Sequence, residues 1–210
     1  VSFYADHVYP PLLDRVSRRF DDQRRGLMAH AAGRVLELGV GTGSNLAFYP
    51  SSVELVVGVD PHPAVLDRAA ERVRGRRGGE ALPYPVRLQR ADAAALPYAA
   101  ESFDTVVAFL ALCTIPDLPG AAREAYRVLR RRGRLLVMEH VKAPDGSRLL
   151  RWQRRLDPPW SVLAVGCHLD RDTGAALRAA GFDTARLERY RDDTWFPPAS
   201  PRIRGVLRKT

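Results

Sequence analysis

The run Glu37-Leu38-Gly39-Val40-Gly41-Thr42-Gly43-Ser44-Asn45 constrains this chain more than any other. It follows the β-like stretch Arg34-Val35-Leu36-Glu37-Leu38 and leads into Ser44 to about Tyr49, which reads as the opening of a helix. Glycines between a strand and a helix let the backbone take positive φ and approach a ligand closely. The N-terminus of the following helix favours an anionic group, phosphate or carboxylate. The dinucleotide fingerprint needs a third glycine at residue 44 counted from Gly39, or at 46 counted from Gly41. Ser44 and Leu46 stand there, so an NAD-binding reading fails. A Walker loop is excluded because no Gly-Lys-Ser/Thr follows.

Strand and helix signals alternate around this loop. Residues 11–31 mix apolar and charged positions at helical spacing before Gly33. Strands are predicted at 34–38, 55–59, 86–90, 105–110 and 135–138, with helices at 63–74 and 120–130 between them. In the first of those helices Val65, Leu66, Ala69, Ala70 and Val73 share one broad side. Near-continuous apolar strands alternating with helices mean an α/β fold, a parallel sheet covered by helices on both faces. The Arg/Gly stretch 74–80 reads as an exposed loop. Residues 141–168 break the pattern, with a poor helical period and Trp152, Pro158, Pro159, Trp160, Cys167 and His168. A helix at 171–180 and two closing strands at 184–190 and 202–208 complete the chain. The expected organisation is an N-terminal helical lid, 1–32, and one domain, 33–210, with a substrate-side insertion at about 141–170.

A net charge of +9 raises nucleic acid as a partner. Yet all but Lys142 and Lys209 of the 33 basic residues are arginine, and they are scattered, with short clusters such as those at 74–77, 130–132 and 154–155. A basic nucleic-acid-binding protein is therefore the rival reading rather than the first. Cys113 and Cys167 are too few and too distant in sequence for a disulfide framework or a zinc knuckle. The expectations are no metal and a reducing, cytoplasmic setting. No apolar run approaches the length of a membrane span, and no signal peptide is visible.

Asp60 ends the second strand, where a carboxylate can accept from both hydroxyls of a ribose. Asp92 follows the third strand, where an acid can accept from an exocyclic amine. Taken alone, Asp60 is equally a turn residue before Pro61, and Asp92 a helix cap. Together with the glycine loop they place three acceptor or anion sites at the ends of successive strands.

The set Val35–Gly43, Val57-Gly58-Val59-Asp60, Ala91-Asp92-Ala93 with Leu96-Pro97, Ser102-Phe103-Asp104 and Arg127–Leu135 resembles the class I S-adenosylmethionine-dependent methyltransferases over about residues 33–140. The resemblance implies a Rossmann-like seven-stranded sheet whose last strand is antiparallel. It also implies S-adenosyl-L-methionine as cofactor, leaving as S-adenosyl-L-homocysteine. Glu37, Gly39, Gly41, Gly43 and Asn45 would serve the methionine part, Asp60 and Pro61 the ribose, and Asp92 and Ala93 the adenine, with Tyr9 and Leu110 also at the cofactor. The C-terminal pattern (Met138-Glu139-His140-Val141, Trp152-Gln153, Pro159-Trp160, Gly166–Arg171 and Gly205-Val206-Leu207) is most similar to methyltransferase-like thiol methyltransferases, and more distantly to phospholipid and quinone methyltransferases.

Methyl transfer from a sulfonium needs the nucleophile held in line at about 3 Å and water shut out. A base is needed where the nucleophile arrives protonated. His140, at the end of the fifth strand, is the first candidate and His168 the second; a structural hydrogen bond is the plainer role for either. Cys113, just after the fourth strand, reads as a small pocket-lining residue. Tyr4, Tyr9, Trp152, Trp160 and Trp195 are candidate pocket walls, since a sulfonium is attracted to aromatic faces. Asp157-Pro158-Pro159-Trp160 resembles the motif of amine methyltransferases, but it lies beyond the fifth strand rather than after the fourth, so that reading is rejected. The expected activity is methylation of a small apolar acceptor, a thiol first and a hydroxyl second. A phospholipid or quinone N- or C-acceptor is the alternative.

Overall fold

A computed structural model describes residues 3–75, 82–192 and 196–209. Seven strands form one sheet: β1 (Gly33–Leu38), β2 (Val53–Asp60), β3 (Val86–Arg90), β4 (Phe103–Phe109), β5 (Leu129–His140), β6 (Glu188–Arg191) and β7 (Pro201–Arg208). Their order is β3-β2-β1-β4-β5-β7-β6, and only β7 runs antiparallel to its neighbours. The order reverses between β1 and β4, which opens a crevice beyond their carboxyl ends where open α/β sheets bind ligands. The strands at this centre are apolar on both faces, as a doubly covered sheet demands. Leu36, Leu38, Val106 and Val137 pack into one core, and Val35, Val56, Val107 and Leu136 into the other.

Helices α3 (Pro63–Val73) and α4 (Leu118–Val128) follow β2 and β4. The N-terminal region is not one helix. A π-helical turn (Tyr4–Val8), α1 (Tyr9–Ser17), a 3-10 turn (Arg18–Phe20) and α2 (Asp21–Met28) succeed one another. The expected helix after the glycine loop is likewise reduced to a 3-10 turn at Leu46–Phe48. Leu46 is fully buried there, and Pro50 follows closely. The helix expected at 171–180 is α6 (Thr173–Ala179). Residues 76–81, which carry most of the predicted Arg/Gly loop, lie outside the described residues.

The largest departure from expectation is α5 (Arg148–Leu163), sixteen residues of helix where the sequence showed a poor period. Ser147 caps it by accepting from the Leu150 N–H at 3.1 Å. Pro158 and Pro159 sit inside it, each lacking the N–H an interior position donates. Tertiary bonds hold the helix. Gln153 is wholly buried, accepts from Ala143 N–H (2.7 Å), and donates to the carbonyls of Val141 (3.1 Å) and Pro198 (2.8 Å). No helix among the described residues is long and apolar enough to cross a membrane.

Gln153 thus ties α5 to the end of β5 and to the turn before β7. Gln153→Ala strands those three groups, at about 1–3 kcal/mol for an unmet buried group. Urea denaturation should show a loss of about 3 kcal/mol, and a loss under about 0.5 kcal/mol would refute the role.

Candidate active site

The glycine loop turns because Gly39, Gly41 and Gly43 all take left-handed φ (+61°, +53° and +78°). At Gly39 an added Cβ would come within 2.8 Å of the Ala111 Cβ, so the loop lies flush on the turn after β4. At Gly41 an added Cβ would make only ordinary contacts, with the Gly39 carbonyl (3.9 Å) and Leu13 Cδ2 (4.0 Å). Asp60 accepts from Gly41 N–H (3.1 Å) and His62 N–H (2.9 Å), which locks the loop to the end of β2. Burial raises the Asp60 pKa above the usual carboxylate value, although both N–H bonds oppose the shift. Two bonds leave about two of its lone-pair sites free.

Glu37 and Asn45, expected at the cofactor, are turned to each other instead. Glu37 accepts from Asn45 Nδ2 and from the Tyr49 hydroxyl, each at 2.7 Å, and Asn45 Oδ1 accepts from Arg24 Nε at 2.7 Å. All four side chains are buried. This network supports the loop from behind. Asp92 is exposed and accepts from Ala94 N–H at 2.8 Å, while Ala93 is buried and Pro61 exposed.

The N-terminal helices cover the loop. Asp14 of α1 accepts from the Thr42 hydroxyl and pairs with Arg72 (3.2 Å) and Arg68 (3.7 Å) of α3. Tyr4 donates to the Leu163 carbonyl at 2.8 Å, which joins the N-terminus to the end of α5. Between them lies a cavity of about 360 Å³. Tyr9, Leu13, Val16 and Phe20 wall one side, Trp160 and Leu163 the other, and Leu110, Cys113, His140, Cys167 and Arg202 form its floor. Tyr9 is held above its ordinary pKa chiefly by burial, with Cys167, Cys113 and Asp60 all close enough to add to the shift. Trp160 stacks on Phe196 at 5.2 Å. Trp152, by contrast, is 57% exposed and outside the cavity lining, and Trp195 lies outside the described residues.

Leu110 ends β4 with φ +53°, a left-handed conformation uncommon for a side-chain-bearing residue. That turn aims the N–H groups of Ala111, Leu112 and Cys113 at the Glu139 carboxylate, which accepts them at 2.8, 2.9 and 3.3 Å. Glu139 is wholly buried. The Cys113 carbonyl accepts from His168 N–H at 2.9 Å, and so delivers Cys167 to the same spot. The two sulfurs stand 3.7 Å apart. His140 Nε2 is 2.8 Å from Cys167 Sγ, and the Trp160 indole N–H reaches it at 3.4 Å.

This arrangement pairs a buried thiol with a buried imidazole in one short hydrogen bond. Contact with Cys113 and the His140 charge and hydrogen bond pull Cys167 well below the ordinary thiol value, against burial. Burial would lower the His140 pKa, but the Cys167 charge, its hydrogen bond and Glu139 outweigh it and raise the value. Cys113 is pushed up by its contact with Cys167 and by burial. His168 is elsewhere: its Nδ1 pairs with Asp157 at 2.7 Å, and it is absent from the cavity lining. Asp157 also accepts from Leu169 N–H at 2.6 Å, a structural use for the misleading Asp-Pro-Pro-Trp run.

Sequence reasoning missed Cys167 and Glu139 as parts of the site. The signal available for Glu139 was an acid closing the apolar run Leu135–Met138 at a strand end. No local signal joins Cys167 to Cys113, 54 residues away.

A glycine-turned loop locked to an acid at the next strand's end, on a sheet of this order, defines a Rossmann-like methyltransferase domain. The family model described as "Methyltransferase domain" matches residues 36–137. The chain belongs to the S-adenosylmethionine-dependent methyltransferases, in one family with the thiol S-methyltransferase TMT1B of Rattus norvegicus, to which it is 35% identical over 96% of this chain and 84% of that protein. It is 37% identical to a phosphatidylethanolamine N-methyltransferase of Cereibacter sphaeroides over 60% of this chain and 61% of that one. A solved structure from Thermotoga maritima, titled a SAM-dependent methyltransferase and possible histamine N-methyltransferase, shares the fold (TM-score 0.61, 22% identity, 98% of each chain).

The Glu37 network carries a pH signature. Burial raises the Glu37 pKa from 4.5 to about 7, against the bonds from Tyr49 and Asn45. An acid whose pKa is higher in the fold binds its proton more tightly there, so native stability falls as pH rises from the lower value through the higher. Glu37→Gln should therefore gain on the native protein by up to about 3 kcal/mol between pH 5 and pH 8 in urea denaturation. A difference that does not change with pH would overturn this.

Proposed function

We propose that the chain S-methylates a small apolar thiol, with a hydroxyl compound as the lesser acceptor. The supporting observation is the apolar cavity lined by the hydrogen-bonded His140–Cys167 pair, with the loop that Asp60 locks nearby. The kinship with thiol S-methyltransferases points the same way. S-adenosylmethionine, when bound, supplies the electrophilic methyl. The left-handed turn at Gly41 and the spare acceptor capacity of Asp60 fit its amino-acid and ribose parts, and Asp92 with Ala93 its adenine. Gly39, Gly43, Glu37 and Asn45 act by shaping that loop. Tyr9 and Leu110 line the cavity where it would meet the methyl donor. Residues 1–32 serve as a lid, hinged to the loop by Asp14 and Thr42.

His140 is the residue we assign to the acceptor's proton. An acceptor thiol entering the cavity passes its proton to the His140–Cys167 pair, and the imidazolium then stabilises the acceptor thiolate. Desolvation by the surrounding Phe20, Trp160 and Leu163 would otherwise hold that thiol neutral. A volume of about 360 Å³ suits a small molecule rather than a whole phospholipid. Reaction with a labelled methyl donor against thiols, phenols and phospholipids, read by mass spectrometry, tests the reading. Labelled phospholipid with no labelled thiol or phenol would overturn it.

Asp60→Ala should weaken S-adenosylhomocysteine binding about tenfold to a hundredfold, the worth of one or two hydrogen bonds to a charged group. Calorimetry that finds unchanged affinity would remove Asp60 from the cofactor site.

His140→Ala should lower kcat by about 10²–10⁴-fold at neutral pH. The loss should shrink as pH rises and solvent deprotonates the acceptor. His168→Ala, which breaks only the Asp157 pair, should cost less than about tenfold. A steady-state pH profile from 6 to 9 decides: full activity of His140→Ala throughout sinks the assignment, and a larger loss for His168→Ala transfers it.

A further inference from the structure

We propose that Cys113 and Cys167 form a redox-active dithiol that exchanges with low-molecular-weight disulfides, a second activity carried in the acceptor cavity. Methylation needs at most one sulfur beside His140, yet the fold brings two to the cavity floor, 3.7 Å apart. Their surroundings differ in the way an attacking and a resolving cysteine must differ. Cys167 Sγ is faced by His140 Nε2 at 2.8 Å, by the Trp160 indole N–H at 3.4 Å and by the Cys113 sulfur. Cys113 has only Cys167 and the Thr114 hydroxyl, at 3.7 Å each. Cys167 Sγ thus has an imidazole to take its proton and an indole N–H to stabilise the charge left behind, and the thiolate is the attacking species. Both cysteines are nearly closed to bulk solvent, at 1% and 8% exposure, so the cavity is their route to a partner. The disulfide class rests on the thiol acceptor proposed above, because a cavity that takes a small thiol also takes its disulfide. The exchange itself needs no methyl donor.

The steps balance. Cys167 thiolate attacks one sulfur of RS–SR; the Cys167–SR bond forms, the external S–S bond breaks, and the departing thiolate takes the His140 proton. Neutral His140 then accepts the Cys113 proton, and the Cys113 sulfur attacks Cys167. The Cys113–Cys167 bond forms, the second thiolate leaves, and the same proton returns to it. One disulfide is reduced to two thiols, and the cysteine pair is oxidised by two electrons. Closing the bond brings the sulfurs from 3.7 Å to about 2 Å. An external dithiol, such as dithiothreitol, reopens it by the reverse exchange.

The test treats the reduced full chain with bis(2-hydroxyethyl) disulfide at pH 7.5, with a chelator and no methyl donor. Intact-mass and peptide spectra are then recorded. The native chain should lose about two mass units, release about two thiols per chain, and yield a Cys113–Cys167 linked peptide. Cys113→Ser should stop at a stable mercaptoethanol adduct on Cys167, and Cys167→Ser should react at least about tenfold more slowly. Should either variant fail to fold, limited iodoacetamide labelling of the native chain decides, with Cys167 expected to be alkylated before Cys113. An unchanged native mass, a mixed disulfide that never closes, or Cys113 alkylated first would overturn the proposal. Because the readout is mass rather than methylation, exchange without thiol methylation would sink only the earlier reading, and methylation without exchange only this one.

Discussion

The site rests on one buried carboxylate. Glu139 is closed to solvent, and three consecutive backbone N–H groups from the turn after β4 satisfy it. A carboxylate in apolar surroundings is costly, and donors fixed by a neighbouring strand offset that cost. In exchange, the turn has one conformation. It presses Ala111 against Gly39 of the cofactor loop, points Cys113 into the cavity, and offers the Cys113 carbonyl to His168. Because Glu139 and His140 are adjacent on β5, the same strand that anchors the turn supplies the imidazole. Removing the carboxylate would strand three buried N–H groups at once.

Two polar assemblies flank this anchor and do different work. On the cofactor side, Arg24, Asn45, Glu37 and Tyr49 form a buried chain that braces the glycine loop from below. Asp60 clamps the loop from the side. On the cavity side, His140, Cys167, Cys113 and Trp160 form a small hydrogen-bonded assembly. The N-terminal helices bridge the two. Asp14 reaches the loop and α3, Arg24 reaches Asn45, and Tyr4 reaches the end of α5.

What the chain alone determined is the sheet and the location of its crevice. Apolar runs such as Leu55–Val59 and Thr105–Leu110, split by glycine-bearing turns, can be buried on both faces only in a parallel sheet, and the acids at their ends were legible as acceptors. These signals are local, since one residue type and its neighbours within a turn or strand decide them. The helix α5 was not legible, because Pro158 and Pro159 argue against it locally. Gln153 overrides them through bonds to Val141, Ala143 and Pro198.

The roles of individual polar residues were decided only by the tertiary structure. Glu37 and Asn45 could equally have faced a ligand or each other, and burial turned them inward. His140 ranked ahead of His168 by its place at a strand end, but their partners were not legible; Asp157 pairs with His168, and β5 carries His140 to the cavity. Cys113 and Cys167 lie on turns that no periodicity relates, and they meet because the Cys113 carbonyl holds the His168 N–H. The physical reason is common to all three cases. A side chain's hydrogen-bonding capacity is written in its type, but its partner depends on which distant backbone group lacks one, and only the assembled fold decides that.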